Sequence, residues 1–182
     1  MVYFLSLPLA NCGDLGYNRE KYEKYLKGEN IMDHGAIAEK YFDSGYSCSQ
    51  AVMAAFCDVT GMDESLAVRL ASPFGGGIGR MREVCGAVSG MYMVLGILYG
   101  CEVSDGDEAK KQLYKEVQEL AAKFKEEAGS IICRDILKNP PSDPTPSKRT
   151  PEYYKKRPCA RMVILASWLM DEFIENHPLD KK

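Results

Sequence analysis

Three features that common classes of function require are missing from this sequence of 182 residues. Basic residues are not in excess, since 23 Lys and Arg face 26 Asp and Glu, and the net charge of −3 argues against broad binding to nucleic acid or anionic membranes. No apolar run is long and uniform enough to span a bilayer: the richest, residues 84–99, contains three glycines. The histidines are only His34 and His177, near the ends and outside the predicted core. We therefore expect neither histidine-assisted hydrolysis nor covalent haem, which also needs an absent Cys-x-x-Cys-His motif.

The N-terminal segment, residues 1–31, differs from the rest because it lacks a sustained apolar face. Its short apolar run has no preceding basic residue and is interrupted by Ser6 and Pro8, which makes it a poor signal peptide. We therefore expect a cytoplasmic protein. Purine-rich codons for the Lys-Gly-Glu run just before Met32 could form a ribosome-binding site. In that case the segment is a non-native extension before the true start; the alternative is a real helical extension. Residues 32–182 are predicted to form a single domain.

Apolar periodicity predicts helices, and no stretch alternates as a strand would. The clearest helix spans residues 107–128, where Leu113, Val117, Leu120 and Phe124 recur at spacings of four, three and four. Further helices are predicted over 33–45, 47–61, 63–71, 81–99, 131–137 and from Pro158 onward, with a proline-rich loop over 139–150. The predicted fold is all-α, a compact bundle of about five to seven helices.

Four of the seven cysteines share one predicted setting. Each lies in or near the first turn of a helix, where free amides and the positive end of the helix dipole stabilise a thiolate, the form that attacks disulfides and binds metals. Arginine or lysine residues stand near three of them. In a reducing compartment, clustered cysteines more often indicate metal binding or redox chemistry than structural disulfides. The candidate catalytic residues, which are also the candidate metal ligands, are Cys48, Cys85, Cys133 and Cys159.

The other three cysteines do not share this setting. A free cysteine taken singly is more often a small buried hydrophobe than a functional group. Cys57 fits that description because it lies in an apolar run, Cys101 follows a helix end, and Cys12 lies in the N-terminal segment. These three are excluded from the candidate site.

Glycines accompany the candidate cysteines. Gly86 and Gly90 lie four residues apart on one face of the 81–99 helix, where each costs about 1 kcal/mol relative to alanine. The compensation is either close packing of another helix or room for a bulky group, such as a metal cluster or a partner's disulfide. In the preceding loop, the amides of Gly76 and Gly77 are expected to face the cysteine site. This loop matches neither a P-loop nor a Rossmann fingerprint, so no nucleotide is expected, and all four glycines are candidate cofactor-binding residues.

Taken in order, these pieces resemble the redox-active protein family named for its C…GCAxxG…C…C pattern. The similarity covers about residues 35–170. What it implies is a helical domain whose four cysteines work in redox reactions, without defining the reaction. The matching segments are YSCSQAV at 46–52, FGGG at 74–77, CGAVSG at 85–90, GSIICR at 129–134, and Cys159.

Three functions stay open on this basis. The first is electron transfer through an iron–sulfur or related metal site held by the four thiolates. The second is a thiol–disulfide relay, although no Cys-x-x-Cys indicates a thioredoxin-like site. The third is a non-enzymatic structural zinc site, which a core of this size does not need. The protein is expected to be an oxidoreductase or the partner of one, and to bind an unidentified redox partner protein. Its 81–99 helix could pack within one subunit or across a homodimer.

Overall fold

A computed structural model describes residues 33–179. By its contacts the chain divides into Met1–Asp33 and His34–Lys182, and the account below concerns the second unit. The predictions for residues 1–31, with Cys12 and the proposed start at Met32, lie outside the described residues and stay predictions.

The described chain is built from nine α-helices joined by turns and short loops. Six of them have eight residues or more, and the all-α prediction is confirmed. Within residues 33–179 the only β pairing is an isolated antiparallel bridge between Val84 and Ile132. In chain order the helices are α1 (His34–Asp43), α2 (Cys48–Ala55), α3 (Cys57–Thr60), α4 (Glu64–Ala71), α5 (Gly86–Tyr99), α6 (Gly106–Ala128), α7 (Cys133–Ile136), α8 (Pro151–Lys156) and α9 (Cys159–Asn176).

The core forms around α9, which packs against α1, α2, α5 and α6. Leu165 and Met170 of this helix are fully buried. Helix α6 covers the core with one face only, since Leu120 and Phe124 are buried while the polar residues between them face solvent, as the apolar spacing predicts. Among residues 33–179 no single helix has the length and apolar character to cross a membrane. Only α5 taken with Val103–Ala128, across a 65° bend, meets both criteria.

Helices α2 and α5 approach closely because glycine stands at their contact. A Cβ atom on Gly90 would lie 2.9 Å from both the Ser49 carbonyl oxygen and the Val52 Cβ. A Cβ on Gly86 would lie 3.3 Å from the Cys48 Cβ. This contact brings the N-terminal ends of the two helices together, and with them Cys48 and the residue before α5.

Helix α5 begins at Gly86, so the predicted start at Met81 is wrong. The residues before it pair with the segment that leads into α7: the Cys85 amide donates to the Ile131 carbonyl at 2.8 Å, and the Cys133 amide donates to the Glu83 carbonyl at 2.7 Å. Backbone groups engaged in this pairing cannot form helical hydrogen bonds. Two further differences are a break at Phe56 within the predicted 47–61 helix and the unpredicted helix α8.

The prediction that both histidines lie outside the core is wrong for His34. Its ring is buried and stacks on Phe56 at 4.1 Å, with Nδ1 hydrogen-bonded to Asp171 and Nε2 3.2 Å from Asp58 Oδ1. The packing of α1 against α9 brings His34 to Asp171, a contact that sequence position could not reveal. His177, by contrast, is exposed at the end of α9.

A cavity lined by four cysteines and four arginines

All four candidate cysteines line one cavity of about 290 Å³. Its wall joins the helix starts of α2, α5, α7 and α9 to the glycine turn at 75–79 and to the 139–150 loop. The six described cysteines are free thiols, and neither Cys57 nor Cys101 is in the wall. The candidate residues selected from the sequence therefore lie together, although their roles stay predictions.

Each cysteine is positioned by the backbone around a helix start. Cys48 opens α2 behind Ser47, whose side chain accepts from the Gln50 amide while the Gln50 side chain accepts from the Ser47 amide at 2.9 Å. This capping box determines where α2 begins. Cys133 and Cys159 are the first residues of α7 and α9.

The glycine turn supports the wall of the cavity, and whether the amides of Gly76 and Gly77 serve the sulfurs stays a prediction. The amides of Ile78 and Gly79 donate to the carbonyls of Phe74 and Pro73, just before the turn, at 3.2 and 2.7 Å. Gly77 has a φ of +73°, and a Cβ there would lie 2.6 Å from the Cys133 Cβ, so only glycine lets the backbone approach this cysteine. Gly76 and Gly86 also line the cavity, whereas Gly90 does not and instead packs against α2. A cofactor-binding role for the four glycines stays a prediction.

Burial opposes ionisation at two of the thiols. It raises the pKa of Cys85 to about 12, because it outweighs the hydrogen bonds that this sulfur accepts from the amides of Ala87 and Val88. Burial also raises the pKa of Cys133, against the hydrogen bond and the charge of Arg82. The expectation that a helix-start position makes every candidate thiol more acidic is wrong for these two residues, since lost hydration outweighs the helix end, and it is wrong for Cys48 as well.

The other two thiols form a hydrogen-bonded pair with opposite acidities. The pKa of Cys159 is lowered, chiefly by the hydrogen bond from Cys48 and then by the positive charges of Arg157, Arg149 and Arg82, which together outweigh burial. The same hydrogen bond, with burial, raises the pKa of Cys48 well above its ordinary value. In this pair Cys159 is the more acidic sulfur, and Cys48 is the thiol that more readily keeps its proton.

Four arginines surround these sulfurs: Arg80, Arg82, Arg149 and Arg157. Among the described residues that line the cavity there is no carboxylate. Arg80, Arg82 and Arg157 each stand within five residues of a candidate cysteine in the sequence. Arg149 does not, and it reaches the wall from the 139–150 loop, so sequence proximity could not identify it. A loop of that length without periodic structure is itself an indication of a functional segment. Arg134, although adjacent to Cys133 in sequence, instead pairs with Glu83.

A metal centre requires both suitable donor atoms and their convergence on one point. Four thiols are the correct type of ligand for iron–sulfur or zinc. However, within residues 33–179 no three metal-binding side chains are arranged around a common point. Hydrogen bonding between Cys48 and Cys159 also uses a proton that metal binding would have to displace. The arrangement as it stands does not fit a four-thiolate metal site.

The comparisons with known proteins agree with the resemblance found in the sequence. The model of the family described as "Putative redox-active protein (C_GCAxxG_C_C)" matches residues 46–173, more than half of the chain. That range includes all four cysteines of the cavity. No curated protein and no solved structure matches the chain.

Proposed function

We propose that this chain, which belongs to the redox-active protein family named for the C_GCAxxG_C_C pattern, exchanges electrons by reversible formation of a disulfide between Cys48 and Cys159. The observation that supports this most directly is that Cys48 and Cys159 line one cavity and shift each other's pKa in opposite directions through a hydrogen bond. The two sulfurs are within hydrogen-bonding reach, and one of them is the most readily ionised of the four thiols in the cavity. A thiolate beside a protonated thiol is the resting arrangement that thiol–disulfide exchange requires.

The reaction has two steps. The Cys159 thiolate attacks one sulfur of a substrate disulfide, so that a Cys159–substrate disulfide forms, the substrate S–S bond breaks and the other half leaves as a thiolate. Cys48 then gives up its proton, which protonates one departing thiolate, and attacks the Cys159 sulfur. The Cys48–Cys159 disulfide closes, the second half of the substrate leaves, and two electrons have passed from the protein to the substrate.

The surrounding residues favour this order of attack. Arg157 and Arg149 lower the pKa of Cys159 by stabilising its charge, and the charge leaves that sulfur when the first bond forms. Cys48, with its raised pKa, stays protonated until the mixed disulfide removes its hydrogen-bond acceptor. Attack by Cys159 first and resolution by Cys48 follow from these two pKa directions.

Mapping disulfides in the full-length chain tests the proposal. The reduced protein is treated with a limiting amount of a small disulfide, free thiols are alkylated, and peptides are analysed by mass spectrometry. We expect a Cys48–Cys159 link in the wild type and a mixed disulfide trapped on Cys159 in Cys48→Ser. Cys101→Ser, altered at a cysteine outside the cavity, serves as the matched control and should form the link normally. A dominant Cys85–Cys133 link, or no link, would contradict the proposal.

Electron transfer through an iron–sulfur centre is the second candidate, favoured by the convergence of four thiols on one cavity. It requires the four sulfurs to move closer together than the described arrangement has them. Iron and sulfide analysis of anaerobically purified protein separates the two candidates. Stoichiometric iron with a visible charge-transfer spectrum, lost in Cys85→Ser, would favour the cluster, whereas a colourless, iron-free protein would eliminate it. Stoichiometric zinc without redox activity would instead favour a structural site.

A further inference from the structure

Positive charge exceeds negative charge around the Cys48–Cys159 pair. Arg80 is the one cavity arginine with a carboxylate partner, since its Nη2 lies 3.3 Å from Asp143 Oδ2. Among the described residues, no ion pair engages the other three arginines that line the cavity, Arg82, Arg149 and Arg157. Their guanidinium groups donate instead to uncharged carbonyl and hydroxyl oxygens. A single negative charge on Cys159 would therefore leave most of this positive charge uncompensated.

Arg82 is the most informative of the three because it is only 2% exposed, and it also donates to the Cys133 sulfur, which is only a weak acceptor. Its Nε donates to the Pro141 carbonyl at 2.9 Å and its Nη1 to the Gly76 carbonyl at 3.4 Å, while its Nη2 is buried without an oxygen acceptor. A buried charged donor without a strong acceptor is costly, and native structures normally satisfy it. Because Arg82 lines the cavity, an anionic group of a ligand there would supply that acceptor.

The backbone holds this arginine in an uncommon conformation. Arg82 has a φ of 66° and Arg80 a φ of 67°, both in the left-handed region. That region is unfavourable for a non-glycine residue, and such positions concentrate at functional sites where surrounding contacts impose them. Here the imposing contacts include the Arg134 amide, which donates to the Arg82 carbonyl at 3.1 Å.

Arg157 and Arg149 complete the charged wall from the other side. Arg157 Nη2 lies 3.4 Å from the Ser147 hydroxyl, which Arg80 Nη1 also approaches at 3.1 Å. Arg149 donates to the carbonyls of Phe42 and Tyr46. The charge of Arg149 acts to lower the pKa of Asp43, against the larger effect of burial. Guanidinium groups held in this way are suited to a carboxylate or phosphate.

We infer that the substrate of the Cys48–Cys159 pair is a small disulfide that carries anionic groups, with its S–S bond presented to Cys159 and an anionic group bound by Arg82. The inference rests on the proposed function and adds the substrate class. A volume of about 290 Å³ is near the lower end of the roughly 300–1,000 Å³ typical of small-molecule sites. Such a volume suits a small molecule rather than a folded partner. The substrate is reduced to two thiols while the cysteine pair is oxidised.

Three symmetrical disulfides of similar length test this inference on the full-length reduced protein: dithiodipropionate (anionic), bis(hydroxyethyl) disulfide (neutral) and cystamine (cationic). The rate of Cys48–Cys159 formation is measured with each. It is divided by the rate at which the same disulfide oxidises free mercaptoethanol, which removes differences in intrinsic reactivity. We expect the anionic probe to react at least tenfold faster than the neutral one and the cationic probe to react slowest, with the preference falling as salt is raised.

Substitutions then test whether the cavity arginines cause the preference for the anionic disulfide. Arg82→Met should reduce the anionic-to-neutral ratio roughly tenfold, as expected for loss of one charge-assisted hydrogen bond. Arg157→Gln, a second variant in case the first unfolds, should reduce the same ratio. A change in the pKa of Cys159 affects all three probes alike, so the ratio reports binding alone. Arg134→Met, which removes an arginine outside the cavity, is the matched control and should keep the wild-type ratio.

The outcomes separate the inference from the function on which it rests. Equal normalised rates for the three probes, with the Cys48–Cys159 link still formed, would overturn the anionic substrate and leave the disulfide chemistry in place. Oxidation by a protein disulfide, but by none of the small probes, would overturn the small-molecule class. Failure of the Cys48–Cys159 link with every oxidant would overturn the proposed function itself.

Discussion

Cys48 and Cys159, the first residues of α2 and α9, line the same cavity, and the hydrogen bond between them sets their pKa values apart. The two residues are far apart in the chain and meet because α9 packs against α2. Their pKa values are shifted in opposite directions: that of Cys159 is lowered and that of Cys48 is raised. In the proposed function, this difference in acidity makes Cys159 the attacking cysteine and Cys48 the resolving one.

The first prediction concerns the acidity of Cys159. Cys48→Ala removes the largest contribution that stabilises the Cys159 thiolate, so the pKa of Cys159 should rise toward or above the ordinary thiol value. The pH dependence of Cys159 alkylation by iodoacetamide, followed peptide by peptide, measures this. Cys57→Ala is the control, since Cys57 lies outside the cavity wall. An unchanged alkylation profile in Cys48→Ala would contradict the hydrogen bond.

The second prediction distinguishes a cysteine pair from a four-cysteine centre. Cys85 is 5% exposed with a pKa of about 12, so it should stay protonated and resist alkylation in the folded protein near neutral pH. Cys85→Ala should cost on the order of 1 kcal/mol of stability, as for loss of a small buried group, and still allow the Cys48–Cys159 link. Chemical denaturation and disulfide mapping measure the two effects. Loss of the link in a folded Cys85→Ala protein would show that Cys85 takes part in the reaction.

The third prediction tests the close approach of α2 and α5. In Gly90→Ala the new methyl group meets Ser49 and Val52 at 2.9 Å, so overpacking of about 1–3 kcal/mol should exceed the gain in helix propensity of about 1 kcal/mol. Gly96→Ala is the matched control in the same helix, where nothing lies within 4 Å of a Cβ, and it should stabilise by up to about 1 kcal/mol. Urea denaturation of both variants provides the comparison. Equal effects of the two substitutions would contradict the packing.

The fourth prediction is a pH-dependent contribution of His34 to stability. Burial lowers the pKa of His34, but hydrogen bonding and charge from Asp171 and Asp58 outweigh it, so the net pKa is raised above 6.5. The unfolded chain then binds fewer protons than the native state in this range, and the stabilisation is complete below pH 6.5 and lost as pH rises through the folded pKa.

Denaturation from pH 5 to 9 in roughly unit steps measures this contribution. His34→Gln should flatten the decline in the free energy of unfolding between pH 6.5 and the folded pKa. His177→Gln, altered at the exposed histidine, should keep the His34 component of the profile. The part of the pH dependence that His34→Gln removes should fall as pH rises across this interval. If that part rises instead, the predicted direction of the His34 effect is contradicted.

Local patterns were sufficient to predict most of the helices. The apolar spacing of α6 identifies its inner face, because Leu120 and Phe124 bury on the side where the repeat places them. Ser47 predicts the start of α2 because its capping interaction is made with a residue three positions later. The start of α5 was not predictable in this way, since it depends on backbone pairing between residues 83–85 and the distant segment 131–134.

The sequence by itself determined the all-α class, and it singled out four cysteines at helix starts because helix caps and apolar repeats act over a few residues. Only the tertiary structure decided how those cysteines differ. Burial suppresses ionisation at Cys85 and Cys133, while Cys159 receives, besides the charge of nearby Arg157, a hydrogen-bond donor from α2 and the charges of Arg149 and Arg82. Desolvation and charge depend on neighbours in space, and in this chain those neighbours come together only when the helices and the 139–150 loop pack.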